Sequence, residues 1–122
     1  MFGSIFSALV ATSFLGLGAG SFAAPRALSE NYGIPVDGEA GFAYVRALGA
    51  RDAILGLIVA AFLIGRDRES LGTTLALCAL VGAADFAIVA TTRGTKAPAS
   101  LAIHGTGALG LLAVSSLVRA GR

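Results

Sequence analysis

The segment FAYVRALGARDAILGLIVAAFLIG, residues 42–65, is apolar enough to cross a membrane, yet it carries Arg51 and Asp52 side by side near its middle. Its eleven Leu, Ile, Val and Phe residues are worth roughly −3 to −7 kcal/mol on the scale for membrane insertion, whereas the two charges together cost about 5 to 7 kcal/mol. A helix that exposed these charges to lipid would barely insert. We therefore expect both charges to face the interior of a helix bundle.

The whole chain has the composition of a membrane protein. Of its 122 residues, 56% are hydrophobic and 13% are charged, and the mean hydropathy is +0.83. A chain this short could not bury so much apolar surface away from water, so the lipid bilayer is its expected partner. Its net charge is only +2, and no run of cations with interleaved aromatic residues occurs. Nucleic-acid binding is therefore not expected.

Four apolar stretches each approach or exceed the roughly 20 residues that a helix needs to cross a bilayer. Short joins favour antiparallel neighbours, whereas the long first join contains the Pro, Gly and acidic residues typical of a surface or interfacial segment. The sequence thus predicts an all-α integral membrane four-helix up-down bundle, a single domain over residues 1–122, with one longer loop between helices 1 and 2. The predicted spans are residues 2–24, 42–65, 70–92 and 98–118.

The expected location is a bacterial inner membrane or an equivalent bilayer. The first stretch has no preceding Lys or Arg and is long for a signal peptide, so we expect it to remain as a helix. Four spans place both termini on one side. The cations near that side outnumber those near the other by a small margin, which favours cytoplasmic termini; they are Arg66, Arg68, Arg119 and Arg122.

Each of the last three predicted helices carries one titratable group within a stripe of mostly small residues. Small residues are what closely packed membrane helices present to each other, so these stripes are expected at helix contacts. The stripes contain Gly49, Asp52, Ala53, Gly56 and Ala60 in the second helix, Thr74, Cys78, Val81, Gly82 and Asp85 in the third, and Ser100, His104, Gly107, Ala108, Leu111 and Ser115 in the fourth.

The titratable groups are also predicted at similar depths. At 1.5 Å per residue, Asp85 and His104 lie about 9 Å from the same end of the bundle, and Asp52 lies about 15 Å from it. Arg46 and Arg51 fall in the same half. We expect a polar cavity there that opens towards the first loop.

This cavity has the residues of a candidate ligand or active site. A carboxylate and a histidine in apolar surroundings can serve as acid and base, and an arginine can stabilise negative charge. The expected ligand is a small lipophilic molecule that arrives from the bilayer. The candidate catalytic residues are Arg51, Asp52, Asp85 and His104, and the candidate ligand-binding residues are Arg46, Tyr44 and Glu39. Tyr44 is also expected, like Tyr32, to anchor a helix end at the membrane interface.

Whether the chain is an enzyme is left open by these residues. A subunit of a small oligomeric, proton-coupled transporter is an alternative, although the first helix lacks the acidic residue of small multidrug exporters. A structural protein whose buried charges fix helix packing is another. A single histidine without a ligand at i+3 or i+4 does not favour a metal site, and no cofactor is expected. The stripes of small residues favour self-association into a homo-oligomer.

Two segments carry a resemblance to a known family. PRALSENYGIP at 25–35 and YVRALGARDAILGL at 44–57, with a lone aspartate in the third span and a lone histidine in the fourth, resemble the small four-span family labelled domain of unknown function 4267. In outline the chain is also similar to DoxX-like membrane proteins and, more distantly, to anthrone-oxygenase-like four-span proteins. The resemblance implies a four-helix membrane bundle and implies no reaction. The matching positions are Pro25, Gly33, Arg46, Gly49, Arg51, Asp52, Gly56, Asp85 and His104.

Overall fold

The structure is a computed structural model that describes residues 1–121. Within these residues the chain forms five α-helices and one 3-10 turn, without any strand. Four of the helices are long and apolar enough to cross a membrane. The prediction of an all-α membrane bundle is confirmed. The helices are α1 (Phe2–Ala23), α2 (Pro25–Tyr32), α3 (Gly38–Ile64), α4 (Arg68–Arg93) and α5 (Pro98–Arg119), with the 3-10 turn at Gly94–Lys96.

The long first join contains the short helix α2, which the sequence did not predict. Pro25 occupies the first turn of α2, where its fixed φ and missing N–H are tolerated. Gly33 ends the helix in the left-handed conformation, with φ of 106°, and its N–H donates to the carbonyls of Ser29 and Glu30. The second membrane span also begins earlier than predicted, at Gly38 rather than residue 42.

Helices α1 and α3 pack closely because small residues meet at their contact. A Cβ atom added to Gly18 would lie 2.7 Å from Cβ of Ala53, and one added to Gly49 would clash with Ser21. A Cβ atom added to Gly56 would also lie too close to the carbonyl oxygen of Ala11. The small residues in the predicted stripe of this span therefore do face a helix contact, and the partner is α1.

Helices α4 and α5 form the second close pair. The Ser115 hydroxyl donates to the Gly72 carbonyl over 2.7 Å. A Cβ atom on Gly82 would lie 3.3 Å from Cβ of Ala108. The bundle is thus two helical hairpins, α1 with α3 and α4 with α5.

The two halves of the bundle differ in character. An apolar core fills the half near the chain termini, and its buried members are Ala11, Val59, Leu71, Leu75, Val114 and Val118. The charged residues of the predicted site lie in the other half, beside α2. On the outside, many large apolar side chains are exposed on all four long helices, as in a protein that faces lipid. The chain is an integral membrane protein, and Arg122, counted above among the terminal cations, lies outside the described residues.

Candidate functional site

Arg51 on α3 binds two carboxylates at once. Its Nε and Nη2 donate to Asp52 Oδ1 over 3.0 and 2.9 Å. Its Nη2 also donates to Asp85 Oδ2 on α4 over 3.2 Å, and Nη1 lies 3.5 Å from Asp85 Oδ1. Although Arg51 points about 100° away from Asp52 on the helix, its long side chain reaches back to that neighbour and across to α4.

Tyr32, the last residue of α2, contacts both Asp85 and His104. Its hydroxyl donates to Asp85 Oδ1 over 3.0 Å. Its ring meets the His104 ring edge-on, with centroids 4.8 Å apart. We call Tyr32, Arg51, Asp52, Asp85 and His104 the Arg51 cluster.

His104 on α5 is oriented by the backbone of α2. Its Nε2 lies 2.9 Å from the Tyr32 carbonyl oxygen. Because a carbonyl oxygen only accepts, this bond requires the hydrogen on Nε2, and Nδ1 of a neutral ring is then an acceptor.

The end of α2 is held in place by close backbone contacts. The Ser100 hydroxyl donates to the Asn31 carbonyl over 3.0 Å. Gly33 follows Tyr32 in the chain. A Cβ atom added to Gly33 would lie 2.7 Å from Cβ of Ser100 and 3.0 Å from Cγ1 of Val89. A residue with a side chain at position 33 would therefore push α2, and with it Tyr32, away from the cluster.

The charges of the cluster do not cancel in pairs. One guanidinium faces two carboxylates, so Arg51 alone does not neutralise both of them. Tyr32 is the neutral donor to Asp85, because burial, with the negative charge of Asp85, raises the pKa of Tyr32 to about 12. Within residues 1–121, the second oxygen of Asp52 receives no hydrogen bond.

Three of the predicted site residues lie apart from the cluster. Arg46 pairs with Glu39 over 3.3 Å at the exposed start of α3. Tyr44 is 77% exposed on the outer face of the bundle. The sequence placed Arg46 in this half of the bundle by its depth, but depth does not fix which way a side chain points.

On the side of the first join, where an opening is predicted, Tyr32 of α2 contacts Asp85 and His104. The cluster is not fully buried: 35% of the Arg51 side chain is exposed, against 15% for Asp52 and 11% for Asp85. Two cavities of about 310 and 320 Å³ lie at the opposite end of the bundle. Among residues 1–121, no three His, Cys, Asp or Glu side chains are grouped as metal ligands.

Most of the chain matches one protein family. Residues 11–118 match the family described as Domain of unknown function (DUF4267). The chain belongs to the DUF4267 family. No curated protein and no solved structure matches it significantly. The DUF4267 match confirms the resemblance inferred from the two quoted segments, and the outline resemblance to DoxX-like proteins is not confirmed.

The segment of this DUF4267 protein that matches the family includes every member of the Arg51 cluster. The sequence identified four of the five members and assigned Tyr32 to the membrane interface. The signal that could have found Tyr32 is its position before Gly33 and Pro35, since a glycine cap and a proline mark the end of a short helix. That signal locates the end of a helix but does not say which residues Tyr32 contacts.

Proposed function

We propose that the Arg51 cluster binds a small lipophilic molecule from the bilayer and exchanges a proton with it. The observation that carries the proposal is the guanidinium of Arg51 shared by Asp52 and Asp85 in an otherwise apolar bundle. A single ion pair would be enough to fix helix packing. A second buried carboxylate costs desolvation energy, which argues for a use of its charge or its proton.

The cluster has the parts that proton transfer requires. Asp52 has an oxygen free to accept a proton, and the Tyr32 hydroxyl is a neutral donor beside Asp85. His104 has a free ring nitrogen once Nε2 is bonded to Tyr32. Arg51 can stabilise negative charge on a bound molecule because its guanidinium stays protonated.

Access from the bilayer is supported by the partial exposure of Arg51. Its side chain lies between α3 and α4, which belong to different hairpins and pack less closely than the helices within each hairpin. On α3, the exposed residues Leu48 and Ile58 flank Arg51 at helical spacing. A lipophilic molecule between these helices would meet apolar side chains first and the cluster next.

A structural role is the second candidate, and the contacts of α2 favour it. The Tyr32 hydroxyl, the Tyr32 carbonyl and the Asn31 carbonyl each bond to α4 or α5. In this alternative, Asp85, His104 and Ser100 fasten α2 to the bundle, and Arg51 neutralises the buried carboxylates. Both candidates use the same hydrogen bonds, so they differ in what a substitution does to the fold and to a bound molecule.

Native mass spectrometry of the detergent-purified protein tests the proposal. We expect the wild type to carry a stoichiometric lipophilic molecule that is missing from Asp85→Asn. Asp67→Asn is the matched control, because it removes a carboxylate far from the cluster and asparagine still caps a helix; it should keep the molecule. An empty wild type, or retention by Asp85→Asn equal to that of the control, would contradict the proposal.

A further inference from the structure

A cavity of about 310 Å³ lies at the turn between α3 and α4, in the half of the bundle away from the Arg51 cluster. It is lined by Arg66 and Arg68, by Leu63 and Leu71, and by the first turn of α1. Its lining thus combines two cations with apolar side chains. Neither the Arg51 cluster nor its proposed function involves this cavity.

The two arginines of this cavity have no carboxylate within ion-pair distance among residues 1–121. Asp67 lies between them in sequence, but its carboxylate accepts the N–H of Ser70 and caps α4. That hydrogen bonding lowers the pKa of Asp67, so the carboxylate stays charged and engaged with the helix. Within residues 1–121, neither guanidinium is neutralised by an ion pair.

The backbone of the turn adds a second indication. Arg66 has a φ of 57°, in the left-handed region that favours glycine. Gly65, immediately before it, has a right-handed conformation instead. An arginine at the strained position of a turn suggests that its side chain is needed there.

A second cavity, of about 320 Å³, lies on the other side of Arg68. Arg119 lines it and donates to Thr73 over 3.2 Å, and Glu69 supplies a carboxylate. Arg68 is thus shared by two cavities. Among the described residues, the two cavities and the turn beside them contain three arginines and the carboxylates of Asp67 and Glu69, so cations outnumber acidic side chains there.

The surroundings favour an anion that is attached to a lipid. Phe2 at the start of α1 and Ile64 at the end of α3 are exposed large apolar residues near the same cavity. An acyl chain could run along them while its charged head remains beside the arginines. Dissolved phosphate would gain nothing from this apolar surface.

We propose that the cavity lined by Arg66 and Arg68 binds the phosphate group of an anionic membrane lipid. The planar guanidinium matches the oxygens of a phosphate in two parallel hydrogen bonds. Basic pockets between membrane helices are a known type of site for anionic head groups. The lipid would fix the turn between the two hairpins at the membrane surface.

The test is native mass spectrometry of the full chain titrated with dioleoylphosphatidylglycerol, dioleoylphosphatidylcholine or inorganic phosphate. The test variant is Arg66→Gln with Arg68→Gln. The control is Arg93→Gln with Lys96→Gln, which removes two exposed cations at the opposite end of the bundle. Arg68→Gln alone is a milder variant that leaves residue 66 and its backbone conformation unchanged. Circular dichroism verifies that each variant is folded.

We expect the wild type and the control to bind phosphatidylglycerol at least about tenfold more tightly than phosphatidylcholine, since only the former has a net charge. Each cation near a membrane surface contributes about fivefold, so the double variant should bind phosphatidylglycerol about 25-fold more weakly and Arg68→Gln about fivefold more weakly. An unchanged affinity in both variants, or an equal loss in the control, would overturn the proposal. Binding of inorganic phosphate as tight as that of phosphatidylglycerol would overturn the assignment to a lipid.

Discussion

Tyr32 shows how one residue can take part in a site through both its side chain and its backbone. Its hydroxyl donates to Asp85, while its carbonyl and its ring both contact His104. These partners are 53 and 72 residues away in the chain. The contacts link the short helix α2 to both helices of the second hairpin.

Replacing Tyr32 by phenylalanine isolates the hydroxyl of this residue. We expect Tyr32→Phe to lower the free energy of unfolding by about 1 kcal/mol, because side-chain hydrogen bonds in membrane proteins are modest and the carboxylate keeps Arg51 as a partner. Tyr44→Phe is the control, since Tyr44 is largely exposed and outside the cluster. Unfolding by sodium dodecyl sulfate in mixed micelles measures both. Equal effects of the two substitutions would contradict the role of the hydroxyl.

The ionisation of Tyr32 gives a prediction about pH. Its pKa of about 12 in the folded protein lies above the ordinary value of 10.0, so the folded state holds the phenolic proton more tightly than the unfolded state does. The resulting stabilisation is fully present below pH 10 and is lost as the pH rises towards 12. Ultraviolet difference titration of the wild type against Tyr32→Phe should show a tyrosinate signal that develops near pH 12. A signal complete by pH 10 would contradict this.

At the scale of helices, the contact between α1 and α3 depends on glycines that allow close approach. Gly18→Ala should destabilise the bundle by about 1–3 kcal/mol, as overpacking does, because the new methyl group would meet Ala53 and the Gly49 carbonyl. Gly16→Ala on the same helix is the control, since a Cβ there has nothing within 4 Å. It should be neutral or slightly stabilising. Unfolding in mixed micelles compares the two, and an equal loss in both would argue against this packing.

The long helices and the helix α2 differ in how far the sequence could predict them. The four spans follow from hydropathy because a bilayer demands about 20 apolar residues and internal hydrogen bonding. The stripe containing Gly49 and Gly56 also predicted a contact, although it could not identify α1 as the partner. Helix α2 has eight mostly polar residues, too few to form a stable helix alone. Its structure depends on the Gly33 cap and on contacts with distant helices, which no local pattern encodes.

The sequence predicted most residues of the candidate site but only part of their spatial arrangement. Four cluster members followed from the cost of charges in a membrane helix. Arg46, Glu39 and Tyr44 are predicted as ligand-binding residues, and the structure places them outside the cluster. The distinction depends on the direction of each side chain and on the place taken by α2, both of which are properties of the folded chain.

For the whole molecule, the two ends of the bundle contain two separate regions, and both hairpins contribute to each region. The terminal half contains the apolar core and the arginine-lined cavity. The other half contains the Arg51 cluster, covered by α2 and partly exposed between α3 and α4. Self-association and cytoplasmic termini remain predictions. A native mass spectrum tests self-association, because it gives the mass of the intact assembly.

The most direct test of the central claim, that the cluster serves a ligand rather than the fold, is the free energy of unfolding of Asp85→Asn and His104→Gln. A ligand site predicts that both variants stay folded, within about 1 kcal/mol of the wild type, because each replacement keeps the shape and some hydrogen bonding. A structural role predicts a loss of about 3 kcal/mol or more in each, and that Arg51→Leu with Asp52→Leu is more stable than Arg51→Ala. Unfolding of both single variants under conditions where the wild type is folded would contradict the claim.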